Sequence, residues 1–229
     1  MSLASTFNLV KPYLVFAVTP VHAGVGRGVE EHVELPIQRD SWGLPCIWGS
    51  SIKGALRTAF RKGADRASDD EVLIFGPERE RAHEHAGALN VLDARLFLLP
   101  TPSLKGGFVF TTTWLMLERC KVIWELADMK DLVESVEKLK GSVNQPGKAL
   151  VSSDRITLEG KVWIGDKVFE ADASKAGNVK SAFNELLKGL KLPLPVEAIT
   201  ERVVILSDDE GMRLLSRLTM SITRVALDY

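Results

Sequence analysis

Cysteine is scarce in this chain, and that scarcity excludes two classes of protein at once. Cys46 and Cys120 are the only two and form no Cys-x-x-Cys pair, so neither a disulfide framework nor a four-thiolate zinc site is suggested, and both thiols are expected to be reduced and buried. Long hydrophobic runs are missing too. No apolar stretch reaches the length of a bilayer-spanning helix, and Met1-Ser2-Leu3 does not read as a signal peptide, so the expectation is a cytoplasmic protein with no membrane partner. Nor is there an excess of one charge. Lys and Arg number 29 against 30 Asp and Glu, a net charge of −1, which argues against a free-standing duplex binder that works by global electrostatics, because affinity for phosphates grows with the cations set against them. Any nucleic-acid site must be local or shared with partner subunits. What is present is 45% hydrophobic and 26% charged residues in 229, enough to bury one domain with insertions or at most two small ones.

The apolar patterning predicts an α+β domain built on an antiparallel sheet. Tyr13 to Thr19, apolar, aromatic and β-branched, reads as a buried first strand ended by Pro20. Residues 21–48 carry glycines, prolines and charges without a helical period, a loop too long to be a plain connector and so expected to be functional. A helix should follow, with Ser50 as N-cap, an apolar face of Ile52, Ala55, Leu56, Ala59 and Phe60, and Gly63 as C-cap. Val72 to Phe75 is an apolar island in a polar stretch. Ala88 to Leu99 and Phe108 to Leu117 read as paired strands around a turn-rich Pro100 to Gly107, the second running into a helix. Further helices are expected over Leu126 to Leu139, Val179 to Leu190 and Met212 to Leu218, a hairpin over Arg155 to Glu170, and strands at Val203 to Leu206 and Ser221 to Leu227.

The segment Gly49-Ser50-Ser51-Ile52-Lys53-Gly54-Ala55-Leu56-Arg57 carries the most chemistry. Free N–H groups at a helix start attract anions, small residues let a phosphate approach, and Lys53, Arg57 and Arg61 stack on one face at four-residue spacing. Three stacked cations repel one another unless an anion lies along them. Two readings stay open on these residues alone: a phosphate cradle, or an ordinary cap above a solvated basic face. A Walker A loop is excluded, since the Gly-Lys-Ser/Thr ending is missing.

Several further elements accompany it: His22-Ala23-Gly24-Val25-Gly26, Val33-Glu34-Leu35-Pro36-Ile37-Gln38-Arg39, Phe75-Gly76, Ala86-Gly87-Ala88-Leu89 with Asp93-Ala94-Arg95, Ser103-Leu104-Lys105-Gly106, Leu117-Glu118-Arg119, and Arg202-Val203-Val204-Ile205-Leu206-Ser207-Asp208-Asp209. Taken together the chain resembles the backbone-forming subunit of the Cmr complex, the type III-B CRISPR effector, within the RAMP superfamily. The resemblance implies a modified ferredoxin-like (RRM-like) palm spanning residues 1–229 as one domain with insertions, its C-terminal segment shortened after Thr223-Arg224 relative to the family. It implies copies of the chain stacked in a filament with other Cmr subunits, holding a CRISPR guide RNA that pairs with target RNA. Gly49, Ser50, Ser51, Lys53 and Arg57 would grip guide phosphates, and Arg39 would add a secondary contact.

The family cleaves target RNA with a divalent cation, Mg2+ or Mn2+, through an aspartate two positions before the proline of the Pro-Ile-Gln-Arg element. Glu34 stands there in this chain. Its carboxylate is a hard oxygen ligand suited to such an ion, but the extra methylene moves it by roughly 1 to 1.5 Å, a displacement that costs on the order of 100-fold in rate. Catalyst and solvated loop acid both remain open, and with them a non-catalytic backbone subunit or a stand-alone repeat-RNA nuclease of the same superfamily. His22 matches the family's histidine, either positioning the scissile phosphate or packing in a turn. Gly24, Gly26 and Gly28 lack the prompt helix of a dinucleotide fingerprint. His83-Glu84-His85 reads as a surface loop, Lys105 as a solvated cation or phosphate contact, and Trp163 as core or base wedge.

Overall fold

Val203-Val204-Ile205-Leu206 shows no polar alternation, the mark of a strand covered on both faces. The computed structural model, which describes residues 9–26, 35–64, 67–141, 145–215 and 217, places it in the middle of a six-stranded sheet. In chain order the strands are β3 (Leu99–Ser103), β4 (Gly107–Thr113), β5 (Lys148–Val151), β6 (Lys161–Ile164), β7 (Lys167–Asp172) and β8 (Val203–Leu206), arranged β3-β4-β8-β5-β7-β6. Alternate residues of β8 serve two cores. Val203 and Ile205 join Leu150 beneath the helices α3 (Trp114–Leu126), α4 (Lys130–Glu137) and α5 (Ala176–Leu187), which contribute Leu117, Trp124, Leu132, Val136, Val179 and Phe183. Val204 and Leu206 face the other way, against Val109, Val151, Ile164, Phe169 and Leu214, the last from α7 (Asp208–Leu215). The Gly165 N–H, in the turn between β6 and β7, donates to the Pro102 carbonyl of β3 at 2.9 Å, so the two edge strands approach and the sheet curls toward closure.

This sheet belongs to one of two compact units, residues 1–20 with 96–229; the other is residues 21–95. The second unit holds a two-residue ladder, β1 (Cys46–Ile47) against β2 (Ala94–Arg95), and two helices, α1 (Gly49–Arg61) and α2 (Asp69–Phe75). No helix among the described residues is long and apolar enough to cross a membrane.

Several expectations need correction. The sheet is mixed, since β4 with β8 and β5 with β7 run parallel; the long connection from β4 to β8 carries the helices α3, α4, α5 and α6 (Val196–Thr200), whereas that from β5 to β7 carries the edge strand β6. Tyr13 to Thr19 forms no strand. Tyr13 and Val18 are 85% and 76% exposed, and Phe16 of that run packs against a core cluster. Pro100 and Pro102, taken for a turn, lie in β3, where an edge position tolerates a residue without an N–H. The apolar island at Val72 to Phe75 is the end of α2, and β5 and α6 were too short to leave a pattern. The 161–172 hairpin, β4 running into α3, and α5 follow the sequence reading. Ser221 to Leu227 lies outside the described residues.

Gly211 fixes how α7 sits on β4. A β-carbon there would lie 2.2 Å from Thr113 Cγ2 and 3.2 Å from Leu206 Cβ, so the usual gain from Gly to Ala inside a helix is reversed. Gly211→Ala should destabilise the fold by roughly 1–3 kcal/mol, the cost of overpacking. Thr113→Ser, which removes that methyl and keeps the hydroxyl that accepts from Met116 N to cap α3, should restore most of the loss in urea titrations of the double variant.

Candidate nucleic-acid interface

The start of α1 is organised by a buried amide. Gln38 is 4% exposed, and its carboxamide satisfies three partners: Nε2 donates to Gly24 O at 3.1 Å and to Ser51 Oγ at 3.0 Å, while Oε1 accepts from Trp48 N at 2.6 Å. Its backbone is paired as well, donating to Ala23 O and accepting from Cys46 N. Residues 22–25 and 35–38 therefore run side by side, with Gly24 bridged to Ile37 and Val25 N donating to Pro36 O. His22 sits at the base of this pairing. Its Nε2 lies 3.0 Å from Leu35 O, and because a carbonyl only accepts, that nitrogen carries the proton. Glu34 lies outside the described residues.

Trp48, not Ser50, is the N-cap of α1, in extended conformation and with no side-chain cap bond. The first helical N–H, that of Gly49, donates to Asp93 Oδ1 at 2.7 Å. A carboxylate of the chain itself thus answers part of the positive helix end. Gly49 is required by packing: a β-carbon there would stand 2.2 Å from Val91 O. Ser50 remains exposed, Ser51 is held by Gln38, and Lys53 is half-buried without an ion pair among the described residues.

The other two cations of the stripe have an anion along them, and it is Glu71 of α2. Arg57 Nε reaches Glu71 Oε1 at 2.7 Å, while Arg61 Nε and Nη2 reach Oε2 and Oε1 at 3.0 and 2.7 Å. Arg61 also contacts Glu78 at 3.3 Å. The Glu71 residue is fully buried, and the hydrogen bonds from Arg61 and then Arg57 hold its carboxyl far below its ordinary 4.5, at about 2. Arg57 Nη2 is buried with no hydrogen-bond partner among the described residues. α1 therefore docks on α2 through these charges and through an edge-on contact of Phe60 with Phe75, ring centroids 5.7 Å apart, while Leu56 and Phe60, expected to be core, are still 46% and 42% exposed.

Of the residues singled out from the sequence, the fold gathers Gly49, Ser50, Ser51 and Lys53 at one helix start and ties them through Gln38 to the segment bearing His22. Arg57 is engaged with Glu71. Arg39 Nη1 donates to Gly43 O at 2.7 Å, bracing the turn at 40–43. Lys105, in the other unit, donates to the carbonyls of Asp154 and Thr157 at 3.4 and 2.5 Å. His83, Glu84 and His85 are exposed, with Glu84 paired to Arg81. Sequence reading missed Glu71 and the helix-start partner Asp93. Ser68-Asp69-Asp70-Glu71 has the spacing of a capping box, and Ser68 Oγ does accept from Glu71 N at 3.1 Å, but the glutamate side chain reaches the two arginines. Among the described residues no group of three or more His, Cys, Asp or Glu could hold a metal ion.

A model of the RAMP superfamily matches residues 17–201, and the chain belongs to that superfamily. Within it, the chain belongs to the Cmr4 family of CRISPR system Cmr proteins. It is 31% identical over 223 residues to the CRISPR system Cmr endoribonuclease Cmr4 of Pyrococcus furiosus, covering 96% of this chain and 72% of that protein. The crystal structure of oligomeric Cmr4 from Pyrococcus furiosus superposes with a TM-score of 0.66 at 26% identity, over 87% of this chain and 70% of that one. A chain of the type III-B Cmr-beta complex bound to cognate target RNA matches with a TM-score of 0.63 over 90% of this chain and 69% of that one; at 23% identity this is a likeness of fold alone.

The Glu71 clamp gives a signed pH dependence. A carboxyl whose folded value is depressed from 4.5 to about 2 contributes stability that is complete above 4.5 and lost as pH falls toward 2. Thermal melts taken from pH 6 down should show the 21–95 unit losing stability across that window, and Glu71→Gln should be less stable at neutral pH with a flatter profile. An identical acid profile in the two proteins would remove Glu71 as the cause.

Proposed function

We propose that the chain is an RNA-binding backbone subunit of a type III-B effector complex, holding a CRISPR guide RNA that pairs with target RNA, alongside other copies of itself and other Cmr subunits. The observation that carries the reading is the division of the α1 cations: Lys53, one turn into the helix beside Ser50, is left without an ion pair among the described residues, while Arg57 and Arg61 hold the helix in place. Membership with Cmr4 supports it, as do the oligomeric state named for one relative and the target RNA named for another structure. The finer fold reading, a modified ferredoxin-like palm, goes with this proposal.

In this reading Ser50 and Lys53 take phosphate oxygens, the lysine as a mobile point charge. Contacts of this kind position a strand without reading its bases, so sequence specificity is delegated to pairing between guide and target. His22, whose Nε2–H donates to Leu35 O, is held against the residue that follows Glu34 in the sequence.

Cleavage of the paired target is the further part of the proposal, with Glu34 as the carboxylate. Mg2+ and Mn2+ are commonly held by one or two carboxylates with phosphate oxygens completing the shell, so the absence of a three-ligand cluster among the described residues is compatible with a glutamate that shares the ion with RNA. Such an ion would supply charge stabilisation at the scissile phosphate. The glutamate at this position favours a second reading, a backbone subunit that binds and does not cut.

Two measurements separate these readings. Lys53→Glu in the assembled complex should weaken guide binding on the order of tenfold, what a charge-assisted hydrogen bond is worth, and reduce the steepness of its salt dependence by about 0.7–1; unchanged affinity and slope would remove α1 from the interface. Arg57 is left intact, because reversing it breaks the Glu71 clamp. With labelled complementary target and Mg2+ or Mn2+, the wild type should give a regular fragment ladder that Glu34→Ala loses and Glu34→Asp strengthens. Full target binding with no ladder in any of the three selects the non-cutting subunit.

A further inference from the structure

The Gln38 carboxamide has two donors and one acceptor oxygen, and its three bonds reach two separate stretches of chain. One end is Gly24, two residues from His22; the other is Trp48 and Ser51, the cap and first turn of α1. The residue's backbone already joins 22–25 to 45–48 through Ala23 O and Cys46 N, so the side chain is not needed merely to pair those segments. What it adds is a direct tie from the His22 segment to the helix start. The packing around that end is tight as well. A β-carbon on Gly24 would lie 3.1 Å from His22 Cε1, so the imidazole rests directly over the residue whose carbonyl Gln38 holds.

We propose that Gln38 is a positioning residue that locks the His22 segment and the first turn of α1 into one register, so that RNA held at Ser50 and Lys53 orders both together. This inference rests on the preceding reading of α1 as the RNA grip. No shorter polar residue spans the three partners. Glutamate would lose both donors and set a carboxylate against the Gly24 carbonyl, and methionine, close in size, would leave Trp48 N–H and Gly24 O without the side-chain partner they have now.

Hydrogen–deuterium exchange on the full chain, with and without a single-stranded RNA oligonucleotide at saturation, tests the coupling. In the wild type RNA should slow exchange by several-fold, up to about tenfold, the range set by a hydrogen bond of typical net strength, in residues 49–53 and also in 22–25 and 35–39. In Gln38→Met the slowing at 49–53 should persist and that at 22–25 and 35–39 should disappear. If Gln38→Met does not fold, Gln38→Glu, which keeps the acceptor for Trp48 N–H and loses the donor to Gly24 O, should give the same separation. Joint protection that survives whichever variant is measured overturns the role of Gln38, as does wild-type protection confined to 49–53. Absence of any RNA effect at 49–53 in the wild type overturns the grip itself, and with it this inference.

Discussion

A carboxylate removed from water must be paired, and Glu71 is fully buried between two guanidinium groups. The geometry of α1 follows from that pairing. Burying one charge with one partner commonly costs as much as it returns, and the balance improves only when the remaining lone pairs are also satisfied. Here Arg61 presents Nε and Nη2 to both oxygens while Arg57 adds a third bond, so both carboxylate oxygens are answered by the protein's own donors. The helix is consequently oriented by its charged side. Arg57 and Arg61 turn to α2, and Lys53, one turn earlier, is left available to a ligand.

The second constraint is at the other end of the helix. Its first N–H is answered by Asp93, its cap residue by Gln38, and its opening glycine is pressed against Val91. An empty helix start is a general anion site; this one is partly filled by a side chain 44 residues away, so in the proposed reading an RNA phosphate would meet hydroxyls and an ammonium more than bare backbone. That distinction matters chemically. Flexible donors such as Ser50 and Lys53 adapt to successive phosphates, whereas a rigid N–H cradle would demand one phosphate geometry.

The elements with strong local patterns were legible in the sequence: β8, the 161–172 hairpin and α5 each carry their own periodicity or turn signals. The Gly49 to Arg57 segment was visible as a helix start bearing chemistry. What the sequence did not disclose was which partners the cations find, because Glu71 and Asp93 act across 10 to 44 residues and no local rule ranks a distant carboxylate above a phosphate. The same limit explains the first strand. Tyr13 to Thr19 has strand composition, but composition supplies no ladder, and both edges of the six-stranded sheet are formed by other segments, β3 and β6. Likewise α1 shows an apolar spacing that promises a buried face, but in its unit it meets α2 through the pairing of Arg57 and Arg61 with Glu71 and one ring contact, Phe60 on Phe75, while Leu56 stays exposed.

A net charge of −1 sits awkwardly with nucleic-acid binding only if one molecule must hold the strand alone. Phosphate affinity is set by the cations placed at the backbone, not by the sum over the surface, and most of the α1 charge is internally neutralised by design of the clamp. One available ammonium and a hydroxyl give a weak contact. Copies arranged along one strand convert each later contact into an intramolecular event, so the overall hold grows far beyond the single-site affinity without any added charge per chain. Weak contacts have a further consequence: an isolated chain would release stray RNA readily, and retention would require the register of a whole assembly. A near-neutral subunit is therefore a better fit to a repeating backbone than a strongly basic one, which would collect RNA before it assembled.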